Sequence, residues 1–155
     1  MKIRQYELRL DSQGKPVLRE NNNNYKVDGR KSYTSPDALD EFFGDVIGIC
    51  DCADEHVFVA CMDVKNHIVG CFEASHGSAT ASMFPIREIL QKSLMLGAVS
   101  IAISHNHPSG DPTPSKEDIL STNRLKDACA VIGIAFLDHV VVGRYGYYSF
   151  VEHNM

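Results

Sequence analysis

No apolar run in this chain approaches the roughly 20 residues that a membrane-spanning helix needs. The opening stretch, MKIRQYELRLDSQGK, alternates charged and apolar residues where a secretory leader is continuously apolar. A cytoplasmic protein with no membrane partner is the expectation. Basic charge is also short: 15 lysines and arginines stand against 20 acidic residues, a formal net charge of -5. That balance removes any general attraction to phosphate backbones or anionic lipid, so nucleic-acid binding is disfavoured. The cysteines, Cys50, Cys52, Cys61, Cys71 and Cys129, are odd in number and scattered, which is no disulfide framework. Several lie in apolar runs, where a free cysteine behaves as a small buried hydrophobe. Cys50 and Cys52 have no second cysteine pair or closely spaced histidine to complete a structural zinc site. No internal repeat is visible.

What remains is an ordinary globular composition, 44% hydrophobic and 23% charged over 155 residues, enough for one domain with a real core. Residues 2–10 alternate, with Ile3, Tyr6, Leu8 and Leu10 on the apolar beat, and a turn at 11–14 leads to Pro16-Val17-Leu18, a hairpin pattern. The polar run Asn21 to Asn24 reads as a loop, and residues 1–33 separate as an N-terminal extension from a domain over 34–155. Ser35-Pro36-Asp37 opens a helix with a capping serine and a proline in the first turn. Two largely buried strands follow, EHVFVACMDV and HIVGCF, joined by a turn at Lys65-Asn66. The stretch PIREILQKSLMLG has helical apolar spacing and a glycine stop, VSIAI is a short strand, and a helix runs from about Ser115 to Ile132 before Gly133. Strands IAFLDHVVVG and YGYYSFVEH close an α/β fold with a helix-flanked mixed sheet.

The segment SHNHPSGDPTPSKEDI carries the chemistry. His105 and His107 are two apart after a strand, so in extended backbone both side chains project to one side while Asn106 points to the other. The ten residues before Asp118 hold Gly110, Pro108, Pro112 and Pro114, enough to turn the chain and bring a helix start back over the histidines. Two imidazoles and a carboxylate suit zinc, and three protein ligands leave the fourth tetrahedral position for water. Ser115-Lys116-Glu117-Asp118 is also a plain helix cap, but capping does not account for the histidines. Asp138-His139, inside an apolar strand, stays open between an orienting pair and a satisfied buried histidine. His56, His67, His76 and His153 receive no role.

His-x-His-Pro, a serine seven residues after that proline and an aspartate three further on resemble the signature of the JAMM, or MPN-plus, metalloprotease-like domains. HNHPSGDPTPSKED with LKDACAVIGIAFLDHVVVG is similar to the RadC branch, once named for DNA repair, and the likeness runs from about Ser35 to Gly143. It implies a curved mixed sheet between helices, of cytidine-deaminase-like architecture, holding one catalytic Zn²⁺ per chain on His105, His107 and Asp118. It also implies that Ser115 steadies an oxyanion or orients the water. The general base falls on Glu55, directly before a buried strand, with Glu73 and Glu88 as rivals.

The chain departs from the family pattern in three places. Asn106 stands where deubiquitinating relatives have serine or threonine, nothing resembles the helix-hairpin-helix segment common in RadC proteins, and Phe84-Pro85-Ile86-Arg87-Glu88 shifts a His-Pro-Arg-Glu run by one residue. The expected function is a zinc-dependent hydrolase of amide bonds, metallopeptidase or isopeptidase, acting on a peptide or protein. The alternative is a RadC-type, non-enzymatic interaction or DNA-repair-associated module that retains a metal. A DNA phosphodiesterase is disfavoured by the net negative charge and by one metal in place of a pair.

Overall fold

The computed structural model describes residues 1–28, 31–77 and 84–155. Its elements run β1 (Lys2–Leu10), β2 (Pro16–Lys26), α1 (Pro36–Asp40), β3 (His56–Met62), β4 (Ile68–His76), α2 (Ile86–Met95), β5 (Ser100–Asn106), α3 (Lys116–Ile132), β6 (Ala135–Gly143) and β7 (Gly146–Ser149). Helix α1 continues without a break into wider π-type turns over Glu41–Ile47. The strands form one mixed sheet in the order β2-β1-β4-β3-β5-β6-β7. Pairs β1–β4 and β5–β6 are parallel and the others antiparallel.

Strict alternation in β3 divides the core. Val57, Val59 and Cys61 join Ile101, Ile103, Ile89 of α2 and Leu125 and Cys129 of α3 on one face. Phe58, Ala60 and Met62 join Leu39, Phe42, Phe43, Val140 and Val142 on the other. Both faces of the central strands are therefore dry, which is why β3 and β5 read as near-continuous apolar runs. The result is the mixed α/β sheet between helices that the family resemblance implies.

Helix boundaries follow capping chemistry. The Ser35 hydroxyl accepts the Ala38 amide at 3.3 Å to start α1, and Gly133, at a left-handed φ of 76°, stops α3.

Several strand boundaries differ from expectation, and β4 runs on past Phe72 to His76. Asn21–Asn24 lie inside β2 and not in a loop, because that edge strand bulges: Arg4 faces Asn24 and Tyr6 faces Glu20, so three residues stand opposite Gln5. The buried Gln5 side chain then accepts from Asn23 Nδ2 at 2.9 Å and from the Tyr25 hydroxyl at 2.8 Å. The hairpin also docks on β4, with the Tyr6 ring packed so closely over Gly70 that a Cβ there would sit 2.7 Å from it. Strand β5 runs on through His105 to Asn106. Strand β7 ends at Ser149, short of the 145–153 expected, because Asp138 Oδ1 accepts the Val151 amide at 3.0 Å and Ser149 Oγ accepts the Glu152 amide at 3.1 Å. Side-chain acceptors there replace the ladder with turns. Among the described residues no helix is long and apolar enough to cross a membrane.

Candidate metal centre

The same period-two alternation positions the chemistry on β5. His105 falls on the face of Ile101 and Ile103, toward α3, and Asn106 falls on the opposite face. His107 lies just past the strand end, anchored by its own amide to the Val142 carbonyl at 2.9 Å. The following loop doubles back against the β6–β7 turn. Gly110 adopts a φ of 87° and its carbonyl accepts the Arg144 amide at 3.1 Å. A Cβ on Gly143 would lie 2.5 Å from that carbonyl oxygen, so the close approach requires glycine. The loop delivers Ser115 to the α3 N-terminus in a reciprocal cap: Ser115 Oγ accepts the Asp118 amide at 3.1 Å and Asp118 Oδ2 accepts the Ser115 amide at 2.6 Å.

Three candidate ligand atoms converge there. His105 Nε2 and His107 Nε2 are 2.9 Å apart, Asp118 Oδ1 lies 3.3 Å from His105 Nε2, and Asp118 Oδ2 lies 3.5 Å from His107 Nε2. His107 Nδ1 donates to the Asp111 carbonyl at 2.7 Å, which leaves Nε2 as the neutral ring's lone pair. Asp118 Oδ1 is buried with no hydrogen-bond partner, an orphan that native structures rarely tolerate without an ion or water. The donor set therefore fits a divalent metal ion, and among the described residues it is the one group of histidine, cysteine and carboxylate atoms close enough together to hold one.

Burial and the neighbouring groups shift all three titrations. Burial pushes the His105 imidazole down to about 4, with His107 adding to the fall and Asp118 opposing it. The Asp118 hydrogen bond, outweighing burial, holds His107 above its ordinary value. Burial works against the Asp118 charge, yet His107, His105 and the Ser115 amide together keep its carboxyl well below the usual carboxylate range.

A cleft of about 600 Å³ opens over the cluster, and Glu55 and Ser115 line it together with His107 and Asp118. Burial raises the Glu55 carboxyl above its ordinary value, with Asp118 adding and His107 opposing. Neither rival glutamate reaches this cleft. Glu73 pairs with His56 Nδ1 at 2.6 Å, and Glu88 lies along α2 beside Arg87.

Sequence reasoning left Asp138 and His139 open, assigned Phe84 no role, and missed Thr122 and Phe150. Asp138 and His139 do not form a pair through their side chains: Asp138 accepts the Ser149 hydroxyl at 2.6 Å, while the His139 ring turns to His105. His139 Nε2 lies 2.7 Å from His105 Nδ1, its Nδ1 lies 2.7 Å from Thr122 Oγ1, and Thr122 Oγ1 lies 2.6 Å from the Asp118 carbonyl. Phe150 stacks on His139 with centroids 4.5 Å apart, and Phe84 meets it edge-on at 5.2 Å. Phe84, where the family pattern shifts, thus packs against these rings. The available signals were Thr122 one helical turn after Asp118, and a histidine two residues before a buried valine on the neighbouring strand.

A family model described as the RadC-like JAB domain matches residues 33–155. A UPF0758 protein of Pelobacter propionicus is 37% identical over 130 residues, covering 84% of this chain and 56% of that protein. A UPF0758 protein of Chlorobium phaeovibrioides is 46% identical over 100 residues, 64% of this chain and 45% of its own length. One of Thermotoga maritima is 43% identical with the same coverage, 64% and 45%. The chain thus spans about half the length of the curated relatives it matches. With the family's motif residues gathered at one cleft and its model covering four-fifths of the sequence, the chain belongs to the RadC-like JAB domain family.

Proposed function

We propose that this chain is a zinc-dependent hydrolase domain that cleaves amide bonds in a peptide or protein, in the manner of a metallopeptidase or isopeptidase. The observation that carries this is the convergence of two imidazole Nε2 atoms on the Asp118 carboxylate, whose buried Oδ1 has no hydrogen-bond partner, at the floor of a cleft that also holds Glu55 and Ser115. His105, His107 and Asp118 would hold the zinc, which would supply an activated water and a positive charge for the substrate carbonyl. Glu55 takes a proton from the attacking water and returns it to the leaving amine, a task helped by a carboxyl that burial raises above its ordinary value. Ser115 offers its hydroxyl to the oxyanion that develops on the carbonyl oxygen.

The cleft lining favours an amide over a phosphodiester. It carries Asp54, Glu55, Glu117 and Asp118 and, among the described residues, no lysine or arginine. Such a surface repels a phosphate backbone and accepts a neutral or cationic chain. The five cysteines are free thiols, in keeping with a reducing cytoplasm.

The test is metal analysis of the purified protein coupled to hydrolysis of peptide and lysine-linked isopeptide libraries. One zinc per chain is expected, with cleavage lost on chelation and restored by zinc. Cleavage at an unchanged rate in metal-free protein would overturn the reading.

A further inference from the structure

The imidazole of His105 must present the lone pair of Nε2 to a metal, and a neutral histidine in isolation has no built-in reason to keep its proton on Nδ1. The surroundings supply one. Starting from the Asp118 backbone, the carbonyl oxygen can only accept, so Thr122 Oγ1, 2.6 Å away, donates its single proton to it. Thr122 Oγ1 is then an acceptor toward His139, so the proton of that ring sits on Nδ1. Among the described residues no carboxylate pairs with the His139 ring, which is buried between Phe84 and Phe150, so the ring is neutral and its Nε2 is an acceptor. His105 Nδ1, 2.7 Å away, must therefore donate, and the His105 lone pair is left on Nε2, facing His107 and Asp118. Every bond in the chain runs in one direction, from His105 through His139 and Thr122 back to the backbone of Asp118. Thr122, His139 and His105 are at most 2% exposed, so water does not offer a competing partner.

We infer that His139 and Thr122 are positioning residues that fix the tautomer and ring orientation of His105, and so prepare it as a metal ligand. The value of this to the protein rests on the metal reading above. The tautomer itself does not, because it is set in the metal-free chain. The relay also ties two candidate ligands together, since its last acceptor is the main chain of Asp118. Partners of this kind typically change metal affinity by about 10–100-fold when removed.

The discriminating experiment is long-range ¹H–¹⁵N spectroscopy of the imidazoles in metal-free protein, with zinc titration of the same samples. Wild-type protein should show His105 and His139 both as Nδ1–H forms. Thr122→Val keeps the shape of the side chain but removes the hydroxyl, so His139 is released to carry its proton on Nε2 and to donate it to His105. Both rings should then change to Nε2–H, and zinc affinity should fall by about 10–100-fold. Thr122→Ser, which restores the hydroxyl, should return both readouts to the wild-type values. His105 found as Nε2–H in the wild type, or unchanged tautomers and affinity in Thr122→Val, overturns the inference. Should Thr122→Val fail to fold, the wild-type spectrum decides alone. Wild-type protein with the expected tautomers but no zinc binding would sink the metal reading and leave the tautomer control supported.

Discussion

The side-chain oxygen of Asn106 accepts the backbone N–H of His56 at 2.8 Å, tying the residue between the two candidate ligand histidines to the strand entrance that carries Glu55. Its amide nitrogen donates to the carbonyls of Cys52 at 3.2 Å and Asp54 at 3.0 Å, so the segment on either side of Glu55 hangs on one buried side chain. Only this orientation of the amide satisfies one donor and two acceptors at once. The alternation that sends His105 toward α3 thus sends Asn106 toward the proposed base, and one short strand sets both halves of the site.

Asn106→Ala strips three hydrogen bonds from backbone groups in a half-buried loop. A buried polar group left unpaired costs about 1–3 kcal/mol, and a loss of that order is expected in chemical denaturation. Zinc content should persist, because the ligands lie on the other face, while turnover should fall as Glu55 loses its fixed position. Unchanged stability would show that water replaces the clamp without penalty.

Gly143→Ala tests how the loop is folded back. The added Cβ would meet the Gly110 carbonyl oxygen at 2.5 Å and Pro112 Cδ at 2.9 Å, both parts of the backbone or a rigid ring. Neither can step aside, so the loop must move away from β6, at a cost of about 1–3 kcal/mol. Since that loop delivers Ser115 and Asp118, thermal stability and zinc content should fall together. A variant that melts early but holds zinc as tightly as wild type would show that α3 is placed independently of the loop.

The His107–Asp118 pair gives metal-free protein a pH signature. His107 is raised in the folded state, so the stability it contributes is complete below its unfolded value of about 6.5 and is lost as pH climbs through the raised folded value. Asp118 is lowered, so its share is present above about 3.8 and is lost only as pH falls toward its depressed value. The stability difference between wild type and His107→Ala should therefore be largest between about pH 4 and 6.5 and shrink on the alkaline side. Melting temperatures across that range, with a chelator present, provide the measurement. A difference that grew with pH would contradict the assigned direction.

Much of this arrangement was legible in the chain. The spacing of His105, His107 and Asp118, with prolines between, was enough to expect a folded-back loop, and Ser115 was recognisable as a cap. The family placement of Glu55 brought it to the cleft, although spacing alone could not choose among three glutamates. What stayed hidden depends on contacts between distant segments. An apolar strand pattern around His139 does not say which ring faces it, and Thr122 looks like any polar helix residue until α3 is laid over β6. Asn21–Asn24 look like loop because asparagine is a poor strand former, yet a bulge opposite Gln5 and an edge position accommodate them. The shift at Phe84 becomes interpretable only once its ring is seen against His139.

Glu55→Gln separates chemistry from metal binding. The amide is nearly isosteric with the carboxylate but cannot take a proton from water, and Glu55 is not one of the converging ligand atoms. Zinc stoichiometry and affinity should stay within error of the wild type, while turnover on a substrate found in the library screen should fall by about 10²–10⁴-fold, the usual contribution of a positioned general base. His107→Ala should instead lose both metal and turnover, since only two of the three converging donors remain. The acid limb of the wild-type pH profile should lie above the ordinary glutamate value, following the raised Glu55 carboxyl, and should vanish from the residual activity of Glu55→Gln. Full activity in Glu55→Gln would move the base elsewhere, and Glu117, the remaining glutamate of the cleft lining, would be the next substitution to make.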